Sequence, residues 1–458
     1  MGSVGKVILG YILLPMILRN WLVFPLFALV FSCQTSPPEG DPGRSSAGPH
    51  DTLTDAAFPS NFPRYPSLSS DSLRRGVDAG NIRPGEYHRW VQVGKYGTVN
   101  EQTELRLQWD LDTLLPASVA ALREYRLVNA EEVIVNKARA ADLLIITEAH
   151  TKPEHRVFTR CLLDDLYAAG YRHLGLENLQ PVHGASGTQP FDSLLQQRGY
   201  PVQNILSGIY PSEPEYGNLL RHAIDLGFEI FAYERNGSSD SERDLQQAER
   251  IIAYQRAHPG EKIICHGGWY HAIEDAIEKR PGSDTYWMAY HYRELTGDDP
   301  LTVYQDALNE KVAAEQPSSP YYEALRERMA PGGVPQVLVD GAGEAWRGPH
   351  GDMPFDIVTV TPPLGSTDRR RGWKEWSCDG REYGTLSLKE ALGKRYDEIT
   401  FPAIVELRGE WDSEIATPVY ATELMDRNDE RVLRLWKGRY RLRLRDGKSD
   451  EVEMTVAL

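Results

Sequence analysis

Glu148 and His150 stand two residues apart at the end of an unbroken apolar run, residues 143–146. In extended chain, residues two apart point to the same side, so a carboxylate and an imidazole project together. A carboxylate that orients an imidazole raises its basicity and lets it take a proton from water. The same groups could hold a divalent ion through two or three His or Glu ligands, with a position left open for water. Three more apolar runs end in such a side chain: residues 174–176 before Glu177, 230–233 before Glu234, and 263–265 before His266. The segment Cys265-His-Gly-Gly-Trp-Tyr-His271 adds another imidazole across a Gly-Gly turn, where backbone can approach a ligand closely.

These side chains need a frame. An apolar run without polar alternation suits a strand covered on both faces of a parallel sheet. Thr151 and Glu154 have the spacing of a capping box, with Pro153 tolerated in the first turn, which predicts a helix over 151–169 carrying His155 near its positive end. Its apolar stripe is Phe158, Cys161, Leu162 and Leu166, and Gly170 stops it. Further helices are predicted over 216–226, stopped by Gly227, and over 240–257, with Leu245, Ala248 and Ile252 inward. Residues 116–139 also read as helical, from the spacing of Val119, Leu122 and Leu127. Strands alternating with helices predict an α/β fold, a parallel sheet flanked by helices. Parallel strands share a C-terminal edge, where open α/β sheets place their ligands, so the acids and imidazoles are expected together there. The connection over 178–215 is too long to be a plain link; Tyr200, Pro201, Tyr210, Pro211 and Pro214 would suit a stiff substrate-facing wall.

Four regions follow from composition. Residues 1–33 resemble a bacterial lipoprotein signal, with an apolar run before Val30-Phe31-Ser32-Cys33 and Cys33 as the lipidated residue; an uncleaved anchor is the alternative. Residues 34–70, rich in Pro, Gly and Ser, read as a flexible tether. The α/β region carrying the Glu/His site spans 71–335, and a β-rich C-terminal region spans 336–458. That region ends in a hairpin where Leu442 and Leu444 alternate with arginines, and Val452, Met454 and Val456 with Glu451, Glu453 and Thr455, across Asp446-Gly447.

A net charge of −16 with no basic face argues against nucleic acid as a partner. The four cysteines form no CxxC pair, so neither a disulfide framework nor a thiolate zinc site is indicated, and Cys161 and Cys265 read as small buried hydrophobes. No HExxH, GxSxG, P-loop or complete GxGxxG is present.

Thr-Glu-Ala-His150 with His155, Leu-Gly-Leu-Glu177, Ala-Tyr-Glu234, Arg243-Asp-Leu-Gln-Gln-Ala248 and Gly-Trp-Tyr-His271 resemble the ordered motifs of one superfamily. It joins erythromycin esterases, ChaN-like haem-binding lipoproteins and TIKI/TraB-type proteases. The resemblance covers about residues 140–305 and implies an α/β core with Glu and His at the sheet edge. It matches Glu148 and His150 to the first Glu-x-His motif, Glu177 to the second-strand acid, Arg243 and Asp244 to the helix motif, and Gly268 with His271 to the Gly-x-x-His motif. Thr147 stands where a glycine is usual, and the small haem-binding members lack the long connection after Glu177.

The leading expectation is an envelope-anchored hydrolase, esterase- or protease-like, lipid-anchored in the bacterial outer membrane and facing the periplasm. His150, oriented by Glu148, would activate water; His271 and His266 would bind or polarise the scissile group, and Glu177 would be the second acid or base. His155, Glu234, Arg243 and Asp244 would support them. A divalent metal on His150, His271 and Glu148 is left open. The alternatives are a haem or iron binder using the same edge, and a scaffold whose β-rich tail does the work. The expected partners are a small-molecule or peptide substrate and the membrane.

Overall fold

The computed structural model describes residues 116–458 apart from 182–186, 204–206, 236–238, 281–282, 311–317, 332, 349–352, 364–375, 377–378, 430 and 447–450. The expected signal segment, Cys33 and the tether lie outside the described residues. No described helix is long and apolar enough to cross a membrane.

The chain is an α/β protein built on an eight-stranded sheet. Its strands are β1 (Arg126–Asn129), β2 (Leu143–Glu148), β3 (Tyr171–Leu176), β4 (Glu229–Ala232), β5 (Lys262–Gly268), β8 (Leu301–Leu308), β9 (Gln336–Val339) and β10 (Ile357–Val360). A separate two-stranded ribbon holds β6 (Ile277–Arg280) and β7 (Ser283–Thr285). The sheet order is β1-β9-β10-β8-β2-β5-β3-β4. The six strands from β10 to β4 pair in parallel.

Every residue of β2 is buried, and successive side chains serve opposite faces. Leu144 and Ile146 join one core, with residues of α2 (Ala130–Ala138), α3 (Pro153–Ala168) and α4 (Pro214–Leu226). Leu143 and Ile145 join the other, with residues of α5 (Asp240–Ala257) and α6 (Met288–Thr296). That is why the run shows no polar alternation.

The sheet departs from the expected parallel one at its β1 end, where β9 is antiparallel to both β1 and β10. No helix joins β9 to β10 among the described residues, and such a return brings a strand back antiparallel. These strands also carry the main sheet past the expected boundary at residue 335. The single helix expected over 116–139 is broken: α1 (Pro116–Ala121) gives way to a 3-10 turn, then to β1 and α2. Leu127, which suits a helical stripe, instead sits opposite Leu338 in the sheet; tertiary pairing overrides the local pattern. The capping box is not formed either, since α3 starts at Pro153 with Lys152 at its N-cap and no side-chain cap. Cys161 is disulfide-bonded, against the expected free thiol, while Cys265 is free and buried.

The C-terminal β-rich region is present. β11 (Tyr383–Ser387) pairs with β14 (Val432–Trp436), and a second sheet has the order β13 (Tyr420–Leu424), β12 (Ala403–Gly409), β15 (Arg439–Arg445), β16 (Glu451–Ala457). In the final hairpin Leu442, Leu444 and Val456 enter the core, and Arg443 faces Glu453 while Arg445 faces Glu451, as the alternation predicts. Part of its turn, from Gly447, lies outside the described residues. The region seats against α3 and α4: Asn218 donates to the Val419 carbonyl (2.9 Å), Arg221 pairs with Asp412 (2.9 Å), and Arg160 bridges Glu215 (3.0 Å) and Asp379 (3.1 Å).

Outside the candidate site, Glu274 is buried against Thr302, near Asp356. Burial, reinforced by the Asp356 charge, pushes its carboxyl from 4.5 up to about 7. The folded chain therefore holds a proton here that the unfolded chain has lost, so the associated stability is complete below about 4.5 and lost as pH rises through about 7. Thermal melts between pH 5 and pH 8 should show that fall, by roughly 2–4 °C for each kcal/mol lost, and Glu274→Gln should flatten it. An unchanged profile in Glu274→Gln would refute the assignment.

Candidate active site

The register places the strand ends side by side. β5 lies between β2 and β3, with Glu148 opposite Gly268, and both Ile146 and Leu176 opposite His266. Glu148 closes β2, Glu177 follows β3, Glu234 follows β4, and His271 lies on the 3-10 turn after β5. The expected convergence at one edge is formed.

Glu148 is buried among three donors. Arg156, one turn into α3, meets it with Nε (2.6 Å) and Nη2 (2.8 Å), while His150 Nδ1 lies at 2.8 Å and His266 Nε2 at 2.9 Å. Burial by itself would push this carboxyl up, but the Arg156 charge and the three donors hold it well below the usual carboxylate range. Arg156 also pairs with Glu213 (2.8 Å) and donates to the His150 carbonyl (2.8 Å). Glu213 in turn caps α4, accepting from the Glu215 and Tyr216 amides. The turn between Glu148 and His150 is tied by His155, whose Nδ1 accepts the Ala149 amide (2.9 Å). Burial keeps His155 neutral, pushing it down to about 4.

His150 is partly exposed, its side chain 24% accessible. Because Nδ1 donates to Glu148, the lone pair falls on Nε2, which lies 4.0 Å from Glu177 Oε2. Tyr210, from the long connection, stacks on the imidazole with ring centroids 4.1 Å apart. Tyr200 serves elsewhere, accepting from the Ser413 amide of the C-terminal region.

Glu177 is buried and held by cations. His271 Nε2 (3.1 Å) and Arg243 Nη2 (2.8 Å) meet Oε1, and the Gly268 amide donates to Oε2. Burial raises its pKa, and the His271 and Arg243 charges overcome that and hold it ionised. Gly267 and Gly268 end strand β5 rather than forming the expected turn; a Cβ on Gly268 would stand 3.1 Å from both Glu177 Oε2 and His150 Nε2, so the close approach is to the site's own side chains. His271 is likewise clamped, its Nδ1 2.6 Å from Asp244. Burial would lower its pKa, but the Asp244 and Glu177 carboxylates on its two nitrogens push it up to about 10. Arg243 forms a two-pronged pair with Glu234 (2.9 and 2.7 Å).

His266 is fully buried behind Glu148, with its other nitrogen 3.2 Å from Thr159 Oγ1. It touches Glu148 rather than the open side of the cluster. Both nitrogens of His271 and both oxygens of Glu148 are engaged, with Arg156 or Arg243 alongside. His150, His271 and Glu148 therefore do not fit a divalent ion as a ligand set. The sequence reasoning missed Arg156, Glu213 and Thr159. Arg156 lies in the first turns of the helix predicted over 151–169, and its position beside His155 was the available signal.

No family model matches the chain, and no curated protein matches it. Among solved structures it is similar to the type III effector HopBA1, at 14% identity and a TM-score of 0.32, over 54% of this chain and 99% of that one. It is also similar to RRSP, a MARTX toxin effector domain from Vibrio vulnificus CMCP6, at 15% identity and a TM-score of 0.27, over 46% of this chain and 45% of that one. Likenesses at this level carry no argument about the activity. The class defined here is an α/β protein with a Glu/His cluster at the C-terminal edge of its parallel strands.

Proposed function

We propose that the chain is a hydrolase, esterase- or protease-like, of the type its motif resemblance implies, acting in the cell envelope. The observation that carries this reading is the Glu148–His150 dyad: a buried, arginine-held carboxylate on Nδ1 of a partly exposed imidazole whose Nε2 stands 4.0 Å from the Glu177 carboxylate. An oxygen about 2.8 Å from each of Nε2 and Oε2 would stand roughly 2 Å to one side of the line between them. In this reading His150 takes the proton of an attacking water, Glu148 stabilises the imidazolium that forms, and the imidazolium then gives that proton to the alcohol or amine that leaves as the acyl bond breaks. Glu177 accepts the water's second hydrogen and so aims its lone pair at the scissile carbonyl. Arg243 and the His271 imidazolium keep Glu177 ionised, Arg156 and the His266 hydrogen bond keep Glu148 ionised, and Glu234 and Asp244 orient Arg243 and His271. The Cys161 disulfide supports an oxidising compartment, in keeping with a lipid-anchored protein facing the periplasm.

The test is the purified full chain against panels of esters and peptides, beside His150→Ala, with a haem titration in parallel. Turnover that disappears in the folded variant supports the hydrolase. No turnover, together with a haem absorption band that His150→Ala removes, would replace it with haem binding.

A further inference from the structure

The N-terminal edge of the sheet, opposite the Glu/His cluster, brings together a second set of imidazoles and carboxylates. His173 lies on β3, Glu229 opens β4, His258 ends α5 as its C-cap, and Glu261 directly precedes β5. One donor atom from each of His173, Glu229 and His258 lies within 4.8 Å of the other two. His173 Nδ1 is 3.9 Å from Glu229 Oε2, and the two imidazole centroids are 4.6 Å apart. Ligands around a tetrahedral ion with bonds of about 2.0–2.2 Å stand roughly 3.3–3.5 Å from one another. Closing the set therefore needs only small movements, which the half-exposed Glu229 side chain can make.

Each imidazole has one nitrogen already committed. His173 Nε2 lies 2.5 Å from Glu261 Oε2, and a carboxylate only accepts, so this nitrogen carries a proton. His258 Nδ1 lies 2.9 Å from the Tyr254 carbonyl, another pure acceptor, and carries its proton for the same reason. In the neutral rings the lone pairs then fall on His173 Nδ1 and His258 Nε2. A ring N–H anchored on a carboxylate or carbonyl is the support that metal-ligating histidines use. The Tyr254 hydroxyl stands 3.0 Å from His173 Nδ1 and beside Glu229, with one proton to donate to one or the other; in the neutral ring it donates to Nδ1, and an arriving ion takes the place of that hydrogen bond.

We propose that His173 Nδ1, His258 Nε2 and the Glu229 carboxylate bind one divalent ion of the zinc, cobalt or nickel kind, with water as the fourth ligand. Glu261 and the Tyr254 carbonyl orient the two rings, and the half-exposed Glu229 and Glu261 side chains give the ion its way in. The site is four residues before Glu177 along β3, roughly 13 Å at about 3.3 Å per residue, so the ion touches none of the proposed catalytic groups. It ties the C-terminal end of α5 to β3 and β4, and the first turns of α5 carry Arg243 and Asp244. The ion's work is to stiffen that frame.

The test strips the purified full chain with a chelator and titrates it with Co2+, read by visible absorption, and with Zn2+, read by calorimetry. One ion per chain, visible bands of four-coordinate cobalt, and a thermal midpoint that rises on loading are expected. Glu261→Gln should weaken binding by roughly 10–100-fold, and His258→Ala and Glu229→Gln by more. The last two alter accessible side chains, so the fold should tolerate them, and unloaded melting curves check this. His150→Ala and His271→Ala should bind as the parent does. No stoichiometric binding, or binding that survives both His258→Ala and Glu229→Gln, overturns the site. Binding lost only in His150→Ala or His271→Ala also overturns it, because the ion then belongs to the other edge.

Discussion

His150→Ala should lower kcat/KM for the hydrolysed substrate by about 100- to 10,000-fold, the range a positioned general base contributes. The loss should fall on kcat with KM little changed, because the imidazole acts on the water and not on the bulk of the substrate. Folding should be almost untouched. His150 is at the rim of the cluster, and the alanine removes its stacking on Tyr210 and its hydrogen bond to Glu148. Glu148 keeps Arg156 and His266, so no buried charge is left alone. A melting temperature close to that of the parent, beside a collapsed rate, is the expected pair of results. Full turnover in the folded variant would remove His150 from the mechanism and the proposed reaction with it.

Arg156→Met should be the most damaging single change to stability, about 3–5 kcal/mol. The guanidinium is buried and carries both Glu148 and Glu213; methionine fills much of the volume and leaves two buried carboxylates without their cation. A pH series gives a signature that simple packing loss would not. In the parent, Glu148 is held below its ordinary pKa of 4.5. The stability from this is complete above that value and lost as acid drives the pH down through the folded one. Without Arg156 the sign reverses, since burial now dominates and the folded carboxyl binds its proton more readily than the unfolded one. The variant should therefore gain stability relative to the parent as pH falls through the carboxylate range, and adding Glu213→Gln should recover part of the loss at neutral pH. Denaturant melts at several pH values would measure both. A loss that does not change with pH would mean that packing, rather than the buried charges, sets the effect of Arg156.

Much of the site was legible because its signals are local. Glu148 and His150 two apart in extended chain, and the acids ending apolar runs, each need only neighbouring residues to be recognised. The same locality produced the misreadings. Thr151 and Glu154 satisfy a capping rule, yet Lys152 takes the N-cap, with its ammonium on Asp306 at 2.8 Å. Leu127 satisfies a helical stripe, yet pairs in a strand with Leu338, far along the chain. Cys161 falls in a helical stripe as expected, and nothing local marked it as disulfide-bonded.

By itself, the sequence determined the α/β class, the residues at the C-terminal strand ends and the terminal hairpin, since hydrophobic period and turn chemistry are properties of short segments. Only the tertiary structure decided which groups face one another. Inserting β5 between β2 and β3 sets His266 behind Glu148 and His271 on Glu177. Docking α4 on α3 brings Glu213 to Arg156, and folding back the long connection lays Tyr210 over His150. Two imidazoles that look equivalent in the chain thus differ: His266 is sealed inside the protein, and His150 stays open to solvent. Burial and neighbouring charge are long-range quantities, so these pairings arise only once strand order and helix packing are set.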